Sequence, residues 1–179
     1  MKGVVFTEFF AFVEGQHDEL FLQELIDAAD LPSKGVYTAT GTYPHKEMAK
    51  LVATLAGRTG ADAQTMLKVF GRHLFARFHS GFPEMFEEGQ SAFDFLATVG
   101  DCIHVEVRKL YPDAELPQLE VMEHRPDRFR LRYSSSRCLG DFCEGLIYGC
   151  LDHFGTKAMV TRRDAGTRDA PAIDFVIEL

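Results

Sequence analysis

The sequence predicts an α+β fold in which a helical N-terminal subdomain packs on a C-terminal antiparallel sheet with helices of its own. Three observations predict it. Up to Pro112 the apolar residues recur every three or four positions, the period of an amphipathic helix. Beyond Pro112 short alternating runs rich in β-branched and aromatic residues take over, bounded by turn residues. One helical stretch divides those runs into pairs, and the resulting order β-β-α-β-β suits an antiparallel layer with a helix on one face.

Each element follows from its own pattern. Phe6, Phe9, Phe10 and Val13 recur at helical spacing, while Val4, Val5 and Phe12 fill the other faces, so the first helix is expected to be buried on most sides. His17 to Ala29 forms a second helix, ended by Asp30-Leu31-Pro32. Ser33 to His45, with Gly35, Gly41 and Pro44, reads as a connection, and Lys46 to Gly57 as a short helix. Asp62 is placed to cap a helix that carries Met66, Leu67, Phe70, Leu74 and Phe78 on one side and stops at Phe82-Pro83. Ser91 to Tyr111 reads as one continuous helix. Phe93, Leu96, Gly100, His104, Val107 and Tyr111 share a face, Asp94, Asp101, Glu106 and Arg108 mostly point elsewhere, and Pro112 stops it. Strands are expected through Leu119 and Val121 and through Phe129, Leu131 and Tyr133, turning at HRPD (residues 124–127). A helix from about Arg137 to Phe154 carries Leu139, Phe142, Leu146 and Cys150. Closing strands near Lys157–Arg162 and Ile173–Leu179 are joined by the polar stretch RRDAGTRDAP.

The chain has 179 residues, a length for one domain built of two closely packed subdomains. With 46% hydrophobic and 26% charged residues it is composed like a globular protein, not like a collagen, a coiled coil or a long disordered chain. Sixteen Phe, five Tyr and no Trp predict a large aromatic core or an apolar cavity. A net charge of −8 argues against sequence-independent binding to nucleic acid or to an anionic membrane, both of which need a basic footprint. The opening VVFTEFFAFVE is broken by Glu8 and Glu14 with no cleavage site after it, and no 18-residue apolar window exists. Neither a secretory peptide nor a membrane span is expected, which suggests a cytoplasmic protein. Cys102, Cys138, Cys143 and Cys150 form no CxxC pair and are expected to be reduced and buried.

Three features could carry chemistry. If Tyr133-Ser134-Ser135-Ser136-Arg137 leaves a strand, period two aligns Tyr133, Ser135 and Arg137, and a phenol, a hydroxyl and a planar fork suit a carboxylate. The plainer alternative is that Ser135 or Ser136 caps the next helix and Arg137 is solvated. His104 lies on an apolar helix face, where it is either a satisfied core residue or a neutral imidazole free to ligate a metal. Phe9, Leu74, Phe78, Phe142 and Leu146 are core, or the walls of an apolar pocket. Together the three describe a flat apolar molecule with acidic edges and a metal, which fits heme.

These residues resemble the heme–nitric oxide/oxygen-binding (H-NOX) family, which includes the heme domain of soluble guanylate cyclase. The likeness covers essentially the whole chain: MKGVVF at the start, VFGRHLF (69–75), IHVEVRKLYP (103–112), Tyr-x-Ser-x-Arg at Tyr133, Ser135 and Arg137, EGLIYG (144–149) and the closing IEL. The resemblance implies a single heme domain over 1–179, with a helical subdomain of about 1–60, a heme-ligating subdomain of about 61–179, and heme between them. It implies ferrous heme b with His104 as proximal iron ligand, its propionates on Tyr133, Ser135 and Arg137, and Pro117 pressing on the porphyrin, although a proline opening an edge strand reads the same. Val5, Phe9, Leu74, Phe78, Phe142 and Leu146 would form the walls.

In oxygen-binding members of the family a tyrosine sits five residues after the motif arginine. Here that position is Phe142, and Phe9 and Leu74 stand where other polar groups would be. The resemblance therefore implies a sensor that binds nitric oxide and carbon monoxide but not stably oxygen, and that signals through release of His104. Stand-alone members act on a separate histidine kinase or cyclic-di-GMP enzyme. Where some bacterial members hold structural zinc, this chain has Gly140, Arg162, Ala165 and Ile173, so no zinc is expected. Two other readings stay open: a heme enzyme consuming nitric oxide or peroxide, for which His73 is the nearest titratable group, and a heme-free regulatory domain binding another apolar acid.

Overall fold

The computed structural model describes residues 1–167 and 169–179, with the side chains of all of these except Glu106 and Leu110. Arg168, in the RRDAGTRDAP stretch, and the expected outward direction of Glu106 lie outside the described residues.

The N-terminal helices are α1 (Gly3–Gln16), α2 (Glu19–Ala29), α3 (His45–Thr59) and α4 (Ala63–Gly81). α1 buries Phe6, Phe9, Phe12 and Val13, which share one broad face, while Val4, Val5 and Phe10 are only half-buried, so the helix is not covered on most sides as its pattern suggests. Full burial of side chains of this size contributes about 1.5–3 kcal/mol each. Asp18 accepts from the Phe21 amide at 2.7 Å to cap α2, and Asp62 accepts from the Thr65 amide at 2.8 Å to cap α4. α3 starts at His45 and runs for 15 residues, longer than expected, because Pro44 opens it and left-handed Gly60 closes it. The connection before it is anchored by Glu47, buried in α3, which accepts from the Tyr37 hydroxyl at 2.7 Å and from Ser33. These helices share one core with Leu25, Leu51, Leu55, Phe70 and Leu74.

The single helix expected from Ser91 to Tyr111 is three pieces. α5 (Ala92–Thr98) is held at its start by a Ser91/Asp94 capping box. Residues 99–103 then form a π turn, and α6 (His104–Leu110) comes after it. An i→i+5 turn inserts a residue and rotates the next helical segment by about 100°, so the residues before and after it cannot share the one continuous face that the spacing predicts. Gly100 sits in the π turn against the sheet, where a Cβ would lie 2.6 Å from the Leu119 carbonyl.

The sheet contains β1 (Gln118–His124), β2 (Arg128–Ser134), β3 (Met159–Asp164) and β4 (Ala172–Glu178), in the antiparallel order β1-β2-β4-β3. Phe129, Leu131 and Tyr133 of β2 alternate inward and join Phe175 and Ile177 in a second core under α5 and α7 (Gly140–His153). The opposite face is charged, with Arg132 gripping Asp174 through Nε at 2.7 Å and Nη2 at 2.9 Å. α7 starts three residues later than expected.

α4 and α7 join the two cores at close range. A Cβ at Gly71 of α4 would collide with the Phe142 carbonyl, and one at Gly145 of α7 with the Lys68 carbonyl. This explains the glycines of VFGRHLF and EGLIYG: they let two helix backbones touch. Leu146, beside that contact, packs against both cores.

Candidate functional site

His104 opens α6 directly after the π turn. Its ring is half-buried and lies near the backbone of Pro117, which leads into β1. Burial first, then the Arg108 guanidinium one turn on, hold the imidazole below its ordinary pKa, and the Pro117 carbonyl opposes them. The imidazole is therefore neutral at pH 7. A neutral imidazole keeps the lone pair of one ring nitrogen, the form in which histidine can ligate a metal.

Strand alternation does not align Tyr133, Ser135 and Arg137. β2 ends at Ser134, and residues 135–138 form a turn in which the Cys138 amide donates to the Ser135 carbonyl at 3.3 Å. Neither serine caps the next helix, since α7 has no side-chain cap. Instead Ser135 Oγ accepts from the Arg137 amide at 3.2 Å, and the Tyr133 hydroxyl accepts from the Leu139 amide at 3.2 Å. Burial raises the Tyr133 phenol above its ordinary pKa, so it stays a donor. Arg137 is far from solvated: its side chain is 13% exposed and donates through Nη2 to Glu115 at 2.6 Å.

The apolar residues form a third group. Phe9 and Leu74 are fully buried in the helical core, while Val5, Phe78, Phe142 and Leu146 are half-buried along its border. Phe70 links them, with ring centroids 5.1 Å from Phe9 and 5.4 Å from Phe142. Two tyrosines pack on the same core, and their hydroxyls are engaged elsewhere. Tyr37 donates to Glu47, and Tyr43 accepts from the Thr38 amide at 2.9 Å. His73 turns to Phe12, at 5.2 Å between centroids.

Heme requires an unprotonated axial nitrogen, donors for two carboxylates and apolar walls, and the three groups match those requirements in kind. At the four positions considered for zinc, Ile173 fills the space above Gly140 so that a Cβ there would collide with it. Arg162 bonds Asp141 at 2.6 Å and Glu144 at 3.4 Å.

A family model described as Haem-NO-binding matches residues 2–162. The chain belongs to the Haem-NO-binding family. It is thus a heme-binding, gas-sensing domain, and its fold is that of solved H-NOX proteins. It is 33% identical to the Fe(II) unliganded H-NOX protein from K. algicida, with a TM-score of 0.90 over 99% of this chain and 96% of that one. It is also 33% identical to the H-NOX from Shewanella woodyi, solved with IWP-051 in the Fe(II)CO state, with a TM-score of 0.84 over 99% of this chain and 94% of that one. Soluble guanylate cyclase 89Db of Drosophila melanogaster is 34% identical over 98 residues, which are 53% of this chain but only 14% of that protein. No helix among the described residues of the Haem-NO-binding domain is long and apolar enough to cross a membrane.

Two residues next to these groups escape the sequence patterns. Phe70 reads as one more core position on α4 and becomes distinctive only through its two ring contacts. Glu115 lies in an aperiodic stretch, and its one clue is its place two residues before Pro117.

Proposed function

We propose that this domain is a nitric oxide sensor. It would hold ferrous heme b between a helical subdomain of about 1–60 and a larger subdomain of about 61–179. His104 would hold the iron, Tyr133, Ser135 and Arg137 would take the propionates, and Pro117 would lie against the ring. A bound heme would supply the iron that takes up the gas. Val5, Phe9, Leu74, Phe78, Phe142 and Leu146 form the walls, and the observation that carries the reading is their lack of a donor. Phe142 has no hydroxyl, and both tyrosines of the same core are committed to Glu47 and Thr38. Bound oxygen gathers negative charge and needs such a donor, whereas nitric oxide and carbon monoxide do not.

His104 is also the moving part. It begins a short helix set off by the π turn and lies beside Pro117. Release of His104 would free α6 at one end and relax the segment at Pro117, a local change of the kind that biases a two-state element. The domain then acts on a separate cytoplasmic partner, a histidine kinase or a cyclic-di-GMP enzyme, and is itself no catalyst. His73, the one acid–base candidate for a peroxidase, faces Phe12.

Absorption spectra of the purified protein test this, ferrous and then with nitric oxide, carbon monoxide and air in turn. Five-coordinate nitrosyl and six-coordinate carbonyl spectra are expected, with no change in air. A stable oxy spectrum overturns the gas selectivity, and a colourless protein from heme-replete cells overturns the heme reading.

A further inference from the structure

Residues 111–117 run from the end of α6 to Pro117 and carry two carboxylates that are fastened in different ways. Asp113 accepts from Thr42 Oγ1 at 2.6 Å and pairs with Lys2 Nζ at 3.6 Å. Lys2 in turn donates to Thr42 Oγ1 at 2.7 Å and lies 4.4 Å above the Tyr111 ring. Among the described residues Glu115 bonds Arg137 alone, through one hydrogen bond of 2.6 Å, and its side chain is 83% exposed. The two ends of this pair are unequal. A guanidinium that is largely buried must have an anion, since an unpaired buried cation is costly. Its planar fork is matched by a carboxylate that accepts two bonds, and Glu115 accepts one. Glu115 itself loses little by leaving, because water already surrounds it.

We propose that Glu115 is a stand-in carboxylate, which Arg137 exchanges for a carboxylate of the incoming porphyrin. The inference rests on the heme reading above and adds a residue outside the Tyr-x-Ser-x-Arg signature. Before a porphyrin binds, Glu115 would keep Arg137 paired and oriented, at the cost of competing with the ligand. It would let go of Arg137 when the ligand arrives, while Asp113 keeps segment 111–117 on Lys2 and Thr42. His45 adds positive charge to the surroundings of Arg137 whenever it is protonated.

Heme transfer to excess apomyoglobin, followed at the Soret band, tests the exchange. It is run on the full chain loaded with heme and, separately, with heme dimethyl ester, which has no carboxylates. E115Q should hold heme about three- to fivefold more tightly than wild type, the scale of an exposed ion pair. It should leave the dimethyl ester unchanged. D113N, in the same segment but away from Arg137, should leave the ratio between the two porphyrins as in wild type. Equal or weaker heme retention by E115Q overturns the proposal, as does an equal gain for the ester. A wild-type protein that takes up neither porphyrin fails the heme reading and the proposal with it. One that takes up both, with E115Q indistinguishable from wild type, fails the proposal alone.

Discussion

Phe142 illustrates how much a single absent atom can decide. Its ring packs on Phe70 and is only half-buried at the border of the helical core. F142Y should therefore fold like wild type and gain a donor on the proposed gas side. A hydrogen bond to a charged acceptor contributes about 1.5–3 kcal/mol, or roughly ten- to a hundredfold in affinity. Air-equilibrated ferrous F142Y should show an oxy spectrum that wild type lacks, and an unchanged spectrum would mean that the hydroxyl does not reach the ligand. The thiols are a second case at this scale. All four are free, but only Cys143 and Cys150 are buried as expected, whereas Cys102 and Cys138 are exposed. Burial pushes the Cys143 thiol up to about 12 and that of Cys150 up as well. Ellman titration of the native protein should count two fast thiols, both removed in C102S/C138S, and a third fast thiol would contradict the burial. Residue identity could not separate these two classes. Cys138 occupies a left-handed turn at φ 52°, a position reserved by pattern for glycine or asparagine.

At the level of elements, legibility tracks periodicity. The helical half and the strand pairs could be read because apolar residues mark the buried face of each regular element. The places that could not be read are those where the backbone leaves its period while the side chains continue to suggest it. The π turn at 99–103 is one, since nothing in VGDCI announces an i→i+5 turn. The end of β2 is another: Ser135 and Arg137 keep the alternation of the strand in sequence but lie in the turn that follows it. The Tyr-x-Ser-x-Arg pattern of the proposed propionate site could be read all the same, because its residue types suggest the chemistry whichever backbone carries them. The α4–α7 contact makes a test of this level. G71A places a methyl against the Phe142 carbonyl, backbone against backbone, and should cost more than about 2 kcal/mol in chemical denaturation. G57A, exposed in α3 with nothing within 4 Å, should gain about 0.5–1 kcal/mol from helix propensity. Equal effects of the two would show that α4 and α7 do not approach so closely.

For the whole molecule, the histidines set how stability varies with pH. Burial lowers the pKa of His45, His73 and His153. Arg137 adds to this at His45 and His79 at His153, while at His73 Glu8 opposes burial and Arg77 assists it. In each case the unfolded chain takes up a proton near pH 6.5, before the folded chain does. Below that pH the unfolded state therefore holds more protons, and stability falls as acid is added until the folded values are passed. The carboxylates with lowered pKa, among them Asp94, Asp113 and Asp174, lose their share only below about pH 4. The interval from pH 7 to 5.5 thus isolates the histidines. A lower melting temperature is therefore expected at pH 5.5 than at pH 7 for the heme-loaded protein. His73 is the position for a test, because its Nε2 is buried with no partner while its ring already packs on Phe12. H73F keeps the ring contact and removes the proton, so its melting temperature should fall less between pH 7 and 5.5 than that of wild type. An equal or steeper fall in H73F would mean that His73 takes up its proton as readily folded as unfolded, and that its burial is relieved by water.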